Sequence, residues 1–177
     1  PMPDELREQV QPILDAIAAM GLPLLRVVGV EADDVVGTLC RKALDKGQRV
    51  LVSTGDKDMA QLVVDGVTLV NTMTDTIMDR DAVKAKFDVW PEQIIDYLAL
   101  VGDSSDNIPG VPKVGPKTAS KGLNQYETAD GIVEKGEEIK GKVGESLRDN
   151  VDSLRLSKEL ATIKCDVDLD VGVDELT

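Results

Sequence analysis

Apolar residues in the first third of the chain alternate between helical and strand-like spacing. Those at helical spacing between residues 3 and 20 are Leu6, Val10, Ile13, Leu14 and Ile17. They predict an amphipathic helix that starts near Pro3 and stops at Gly21. Strand-like runs then occupy 22–30, 49–55 and 67–71, and helical patterns lie between them at 31–47 and 56–63. This alternation favours βαβ units and a mainly parallel sheet.

After Asn71 the strand pattern fades and helical patterns dominate. They lie at 79–87, 91–102, 116–123 and 151–163 and are separated by Gly, Pro and Asn. Residues 124–145 are predicted to be a solvated loop or short helices, and residues 166–177 a terminal strand or a frayed tail. The predicted fold is α/β, with a sheet flanked by helices over 1–90 and a helical lobe over 91–177.

Acidic side chains gather at three points of this pattern. The groups are Glu31, Asp33 and Asp34; Asp56 and Asp58; and Asp103 and Asp106. Acids in the first turn of a helix stabilise its dipole by roughly 0.3–1 kcal/mol each, so helix capping explains either of the first two groups taken alone. Two strands that end in bunched carboxylates at one sheet edge would nevertheless repel each other unless a cation lay between them.

The chain contains no histidine, so these carboxylates point to a hard divalent cation. A calcium-binding loop needs glycine at its sixth position, which is Ile108 counted from Asp103 and Gln61 counted from Asp56. Magnesium or manganese fits oxygen-only ligands better. Two such ions about 3.5–4 Å apart would support phosphodiester hydrolysis without a histidine base.

A stretch without acids follows the third group directly. No Asp or Glu occurs from Asn107 to Tyr126, although the whole chain has 33 acids, 20 bases and a formal charge of −13. The lysines of this stretch are Lys113, Lys117 and Lys121. A tight Gly-Pro hairpin is predicted to lead into a helix near Pro116, where free N–H groups can meet a phosphate. Solvated loop lysines are the ordinary alternative, but the contrast in charge favours sequence-independent binding of a nucleic-acid backbone.

Composition narrows the remaining classes of protein. Hydrophobic residues make up 42% of the chain and charged residues 30%, which predicts a globular protein with no membrane partner. Cys40 and Cys165 match small buried hydrophobes rather than a disulfide or a zinc site. Because no signal-peptide pattern is present at the start, a cytoplasmic location is expected.

Three motifs resemble those of the 5′-nuclease superfamily and occur in the same order: "GVEADDVVGTL", "STGDKDMAQLV" and "LVGDSSDNIPGVPKVGPKTA". The chain is most similar to the 5′–3′ exonuclease domain of bacterial DNA polymerase I, over nearly its whole length. The resemblance implies a PIN-like α/β fold. It also implies a metal-dependent nuclease that acts on flaps and on 5′ ends in duplex DNA, as in primer removal during replication and in DNA repair.

The resemblance further implies roles for individual residues. The implied metal ligands are Glu31, Asp33, Asp34, Asp56, Asp58, Asp103 and Asp106, and all except Glu31 are expected to be catalytic. Residues about 91–123 resemble the helix–three-turn–helix element, which in the family binds duplex backbone and often K⁺ through hairpin carbonyls. The implied DNA-binding positions are Gly110, Lys113, Gly115, Lys117, Thr118 and Lys121.

Some parts of the family pattern cannot be located in the sequence. They are the first strand with its Asp-Gly metal motif, a further aspartate and a basic arch, so we expect the chain to be a fragment of a longer nuclease. A non-catalytic duplex-binding module is the alternative, and self-association through surface exposed by the absent strand is also expected. A phosphatase with an aspartate nucleophile is a weaker hypothesis, since Thr54 and Gly55 lie between Asp56 and the apolar run of the predicted strand.

Overall fold

The computed structural model of the chain describes residues 2–136, 139 and 141–176. Within this part the strands are β1 (Val50–Ser53), β2 (Val67–Asn71) and β3 (Thr76–Met78). The α-helices of the same part are α1 (Asp4–Ala19), α2 (Ala32–Asp45), α3 (Arg80–Phe87), α4 (Ile94–Val101), α5 (Pro116–Tyr126), α6 (Ala129–Glu134), α7 (Lys142–Asp149) and α8 (Val151–Ala161). Short 3₁₀ helices lie at Asp58–Leu62, Pro91–Gln93 and Val173–Glu175.

The sheet is small and mixed, with the order β1-β2-β3. β1 and β2 run parallel, with Val50 opposite Val67, whereas β2 and β3 run antiparallel, with Leu69 opposite Met78. The α/β class with a helical second half is confirmed. The parallel pair agrees with the predicted βαβ order, while the antiparallel hairpin to β3 was not predicted.

The predicted strand at 22–30 is wrong, because these residues follow an irregular path. A strand needs a neighbour that accepts its backbone hydrogen bonds. In the described part of the chain β1 pairs only with β2, so no strand lies beside this segment. Val28 is fully exposed, which shows that apolar spacing in this segment does not mark a position in the core.

In the described part of 124–145, the end of α5, the whole of α6 and the start of α7 are short helices, which is one of the two predicted alternatives. α6 begins after Thr128, whose side-chain oxygen accepts a hydrogen bond from Gly131 N at 3.0 Å and caps the helix. Part of this prediction falls on Glu137, Glu138 and Lys140, which lie outside the described residues. The tail forms no strand over 166–176, and Thr177 likewise lies outside the described part.

α4 lies at the centre of the hydrophobic core. Its buried apolar side chains are Ile94, Leu98, Ala99 and Leu100, and α5 and α8 both pack against it. A helix that is apolar on most sides must lie inside the fold, and each fully buried Ile or Leu contributes about 1.5–3 kcal/mol. Because the turn that carries Asp103 and Asp106 follows α4 directly, this burial fixes the position of both acids.

α1 is the predicted amphipathic helix, yet none of its residues is buried against the rest of the described chain. The apolar stripe of α1 is exposed to solvent at Leu6, Val10 and Ile13. Self-association through surface exposed by the absent strand stays a prediction. No helix among the described residues is both long enough and apolar enough to cross a lipid bilayer.

Asp96 joins three helices of the second half. One carboxylate oxygen accepts a hydrogen bond from Ala129 N at the start of α6, at 2.9 Å, and the other pairs with Lys158 Nζ on α8, at 2.8 Å. The Asp96 side chain is only 9% exposed. Both contacts therefore lie in a poorly solvated environment, where charge-assisted hydrogen bonds are stronger than at the surface.

Replacing Asp96 with Ala should lower the free energy of unfolding by about 2 kcal/mol, because it leaves the Ala129 N–H without its acceptor. Chemical denaturation followed by circular dichroism measures this loss. Asp130→Ala is the matched control: Asp130 pairs with the same lysine, but its side chain is 72% exposed, so the cost should stay below about 1 kcal/mol. Equal losses in the two variants would contradict the role of Asp96.

Candidate metal centre and nucleic-acid interface

Three of the predicted site residues meet in one carboxylate cluster, formed by Asp58, Asp103 and Asp106. Each offers one carboxylate oxygen, and these oxygens all lie within 4.8 Å of one another. Asp58 opens the 3₁₀ helix that follows β1, while Asp103 and Asp106 lie on the turn after α4. The fold therefore brings together two acidic segments that are distant in the sequence.

The turn that carries Asp103 and Asp106 is closed by its own backbone. Asp103 N donates to Ile108 O at 3.0 Å, and Ile108 N donates to Asp103 O at 2.7 Å. Asp103 Oδ1 also accepts from Ser105 N at 2.8 Å. The structure shows a non-helical turn at this point. It still places both acids in the same cluster, because a closed loop restricts where their side chains lie.

The segment after β1 buries an acid that has too few partners. Asp56 Oδ1 accepts from Asp58 N at 2.9 Å and so fixes the backbone between the two acids. Asp58 itself is 8% exposed, and its Oδ1 has no hydrogen-bond partner in the described part of the chain. Native proteins rarely leave a buried carboxylate oxygen unpaired. The oxygen of Asp58 is therefore available to a ligand at the carboxylate cluster.

Burial and like charge disfavour ionisation at two of these acids. Burial and, next in size, the charge of the neighbouring Asp56 together raise the pKa of Asp58 to about 6. Burial also raises the pKa of Asp33, and the charge of Asp56 is the second-largest cause of this shift. Asp106 contributes to both shifts. Asp33 and Asp56 thus lie in the same field of negative charge as the carboxylate cluster.

Lys57 provides a positive charge inside this acidic environment. Its Nζ forms an ion pair with Asp103 Oδ2. This hydrogen bond raises the pKa of Lys57 and lowers that of Asp103, which also accepts from Ser105. The sequence analysis did not select Lys57, although its position between Asp56 and Asp58 was a usable signal.

Asp34 and Glu31 differ from the other predicted ligands. Asp34 Oδ1 accepts a hydrogen bond from Lys164 N at 2.8 Å, so one of its oxygens anchors the C-terminal tail to α2. Glu31 is the N-cap residue of α2 but makes no side-chain capping hydrogen bond. Its charge raises the pKa of Asp33. The tail contact of Asp34 could not be predicted from local spacing.

The predicted Gly-Pro hairpin and the start of α5 together carry Lys113, Lys117 and Lys121 and are called the lysine hairpin below. This lysine hairpin is attached directly to the end of α4. Gly110 has φ +65°, and a Cβ there would lie 2.6 Å from Gly102 N, so the close backbone approach requires glycine. Val111 N donates to Leu100 O at 2.9 Å. Ser157 Oγ accepts from Gly110 N at 3.0 Å. These contacts hold the hairpin next to the turn that carries the third acid group.

The other predicted DNA-binding positions are either exposed to solvent or, at Gly115, have free space around the backbone. Lys113, Lys117, Thr118 and Lys121 are exposed, and within the described residues none of these three lysines forms an ion pair. Lys117 and Lys121 are four residues apart on α5 and share one face. Gly115 has no atom within 4 Å of a built Cβ, so its position as the N-cap residue of α5 does not require glycine sterically.

Solved structures with the same architecture define the fold class. The T5 D15 protein co-crystallised with metal ions superposes with a TM-score of 0.81 over 89% of this chain and 61% of that chain, at 24% identity. A T5 D15 flap endonuclease structure, a pseudo-enzyme–product complex with DNA and metal ions, gives a TM-score of 0.79 over 89% of this chain and 60% of that chain, at 22% identity. At this identity the likeness establishes the fold.

Family models cover both halves of the sequence. The model for the 5′-3′ exonuclease N-terminal resolvase-like domain matches residues 1–88, and that for the C-terminal SAM fold matches residues 89–177. The chain belongs to the 5′-3′ exonuclease family. The resemblance found in the three sequence motifs is thus confirmed.

Curated relatives include two kinds of protein. DNA polymerase I of Pseudomonas aeruginosa is 53% identical over 99% of this chain, and a 5′-3′ exonuclease of Buchnera aphidicola subsp. Schizaphis graminum is 37% identical over 99% of it. The chain spans 20% of the first relative and 64% of the second. These matches agree with the resemblance of the three motifs to the 5′–3′ exonuclease domain of bacterial DNA polymerase I.

The raised pKa of Asp58 predicts a specific pH dependence in the absence of metal. The folded pKa of about 6 exceeds the ordinary value of 3.8, so ionisation costs the folded state up to about 3 kcal/mol as pH rises through this window. With EDTA present, Asp58→Asn should therefore be more stable than wild type at pH 7, and the difference should disappear near pH 4. Denaturation curves at both pH values test this, with the exposed Asp152→Asn as control.

Proposed function

We propose that this chain holds divalent-metal ligands and the duplex-binding lobe of a 5′–3′ exonuclease or flap endonuclease that hydrolyses DNA phosphodiester bonds. The proposal rests on one observation: Asp58 has a buried oxygen without a partner and lies in a carboxylate cluster with Asp103 and Asp106. Relatives named 5′-3′ exonuclease and a structural neighbour named flap endonuclease support the same activity. The proposed biological setting is RNA-primer removal and DNA repair in the cytoplasm.

Mg²⁺ or Mn²⁺ suits the donor set of this site. All of the acids there offer oxygen, and neither His nor Cys contributes to the carboxylate cluster. Asp58, Asp103 and Asp106 would hold one ion, while Asp33 and Asp56 extend the acidic surface toward a second, with Glu31 and Asp34 beside them. The ions would stabilise the attacking and leaving oxygens of the phosphodiester. Structural neighbours from T5 that are named as bound to metal ions, zinc in one of them, support a divalent-metal site here but not a particular ion.

The lysine hairpin would hold the DNA that carries the scissile bond. Lys113, Lys117 and Lys121 supply charge without a pattern suited to base readout, which fits contacts to the phosphate backbone. K⁺ at the hairpin carbonyls remains part of the proposal. Since Val111 N is hydrogen-bonded to Leu100 O, a strand bound at the hairpin would be positioned relative to the nearby acids. In this proposal residues 1–90 form the partial α/β metal-binding core and residues 91–177 form the helical DNA-binding lobe, which also supplies the ligands Asp103 and Asp106.

Asp58→Asn and Asp106→Asn, each made in the full chain, should lower turnover of a flap substrate by about 100-fold or more, because each removes a charged metal ligand. Single-turnover cleavage with Mg²⁺ measures this. Asp152→Asn, which changes a fully exposed acid on α8, should cleave like wild type. Unchanged turnover in the first two variants would reject their proposed roles.

Lys117→Ala should weaken binding to duplex DNA by a similar factor for different sequences. It should also reduce the slope of log affinity against log salt concentration by about 1, since one phosphate contact is lost. Fluorescence anisotropy at several salt concentrations, with Ca²⁺ in place of Mg²⁺, measures both effects. The control is Lys46→Ala, because Lys46 lies beyond α2 and pairs with Asp174. Identical slopes for wild type and Lys117→Ala would contradict the hairpin assignment.

A further inference from the structure

Lys57 occupies an oxygen that the proposed metal site needs. Its ammonium group pairs with Asp103 Oδ2, and Asp103 Oδ1 is already bonded to Ser105 N. In this arrangement both oxygens of Asp103 are engaged by the protein itself. Asp58 Oδ1, by contrast, is buried and unpartnered in the described structure. Within the carboxylate cluster, the charge of Asp103 is thus neutralised by Lys57, whereas Asp58 keeps an oxygen without a partner.

Charge makes Lys57 and a divalent cation compete for Asp103. A divalent cation and an ammonium group repel each other when both lie against the same carboxylate. The Asp103 side chain is 5% exposed, so water screens this repulsion poorly. A cation that uses Asp103 must therefore displace Lys57 or bind against its positive charge.

Lys57 has room to leave. Its side chain is 46% exposed, whereas that of its partner Asp103 is 5% exposed. A lysine has a flexible four-carbon stem and a strongly hydrated head group, so its ammonium group can move into solvent while Asp103 stays in place. The backbone of Lys57 is the N-cap of the 3₁₀ helix that starts at Asp58, so this movement does not require a change in the fold.

We propose that Lys57 is a built-in counter-ion that holds the carboxylate cluster together without metal and competes with the divalent cation for Asp103. This inference rests on the proposed metal site and adds a residue that sets its affinity. It means that the ion pair between Lys57 and Asp103 limits divalent-cation binding at low metal concentration. Lys57 acts through Asp103 and is not itself a ligand.

The test is Mn²⁺ binding to the full chain, followed by electron paramagnetic resonance of the free ion. Lys57→Met removes the charge and keeps the length of the side chain. It should bind Mn²⁺ about fivefold more tightly than wild type, because one partly exposed ion pair no longer competes. Lys57→Arg keeps the charge and should not show this gain.

Lys46→Met is a closely matched control. Lys46 is also 46% exposed and also pairs with a carboxylate, that of Asp174, which is not one of the cluster acids. It removes the same charge from the chain, so it measures the general effect of net charge on Mn²⁺ binding. Its affinity should stay within about twofold of wild type, as expected for a distant and screened charge.

Three results would overturn the inference in distinguishable ways. Equal affinity in wild type and Lys57→Met would show that Lys57 does not compete. Weaker binding in Lys57→Met would show that Lys57 positions Asp103 for the metal instead. An absence of Mn²⁺ binding in wild type would overturn the proposed metal site itself, and with it the inference.

A second measurement needs no variant. Amine-reactive labelling of wild type, read by mass spectrometry, reports how free the Lys57 ammonium group is. Adding Mg²⁺ should increase the labelling rate of Lys57 and leave that of Lys46 unchanged, since only Lys57 is released from a cluster acid. Labelling of Lys57 that does not respond to Mg²⁺ at saturating concentration would also overturn the inference.

Discussion

Repulsion between carboxylates that the backbone forces together is the constraint that organises this molecule. Asp103 is fixed by the two hydrogen bonds that close its turn, and Asp58 is held through the contact of its N–H with Asp56. These contacts hold the backbone of both acids in place. The pKa of Asp58 is raised while that of Asp103 is lowered, so one cluster contains an acid that lacks a cation and another that has one.

The same helix that buries the core links this negative site to the positive hairpin. α4 ends at Val101, and the close approach of Gly102 and Gly110 brings the chain back beside that end. Opposite charges are thereby separated by one turn of backbone rather than by a flexible linker. In a chain with a formal charge of −13, such a local exception can attract a polyanion only if it is held away from the surrounding acids.

Local pattern predicted those features that local physics decides. α1, α2, β1 and β2 follow from hydrophobic period and from helix end signals, and the three acid groups were visible as clusters. The prediction of a strand at 22–30 was wrong because a strand forms only beside a neighbouring strand, and a local pattern does not show whether one is there. The partners of Lys57 and Asp34 were missed for a related reason: each contact joins segments that are distant in the sequence and meet only after folding.

The C-terminal end of α8 explains how separate acid groups keep one arrangement. Gln61, in the 3₁₀ helix that starts at Asp58, donates to Ala161 O at 2.9 Å and accepts from Ile163 N at 3.0 Å. Next along the tail, Lys164 N reaches Asp34 on α2. α8 itself packs against α4, which leads into Asp103. One continuous segment thus contacts the element behind each acid group, so the relative positions of the acids depend on tertiary packing as well as on their own turns.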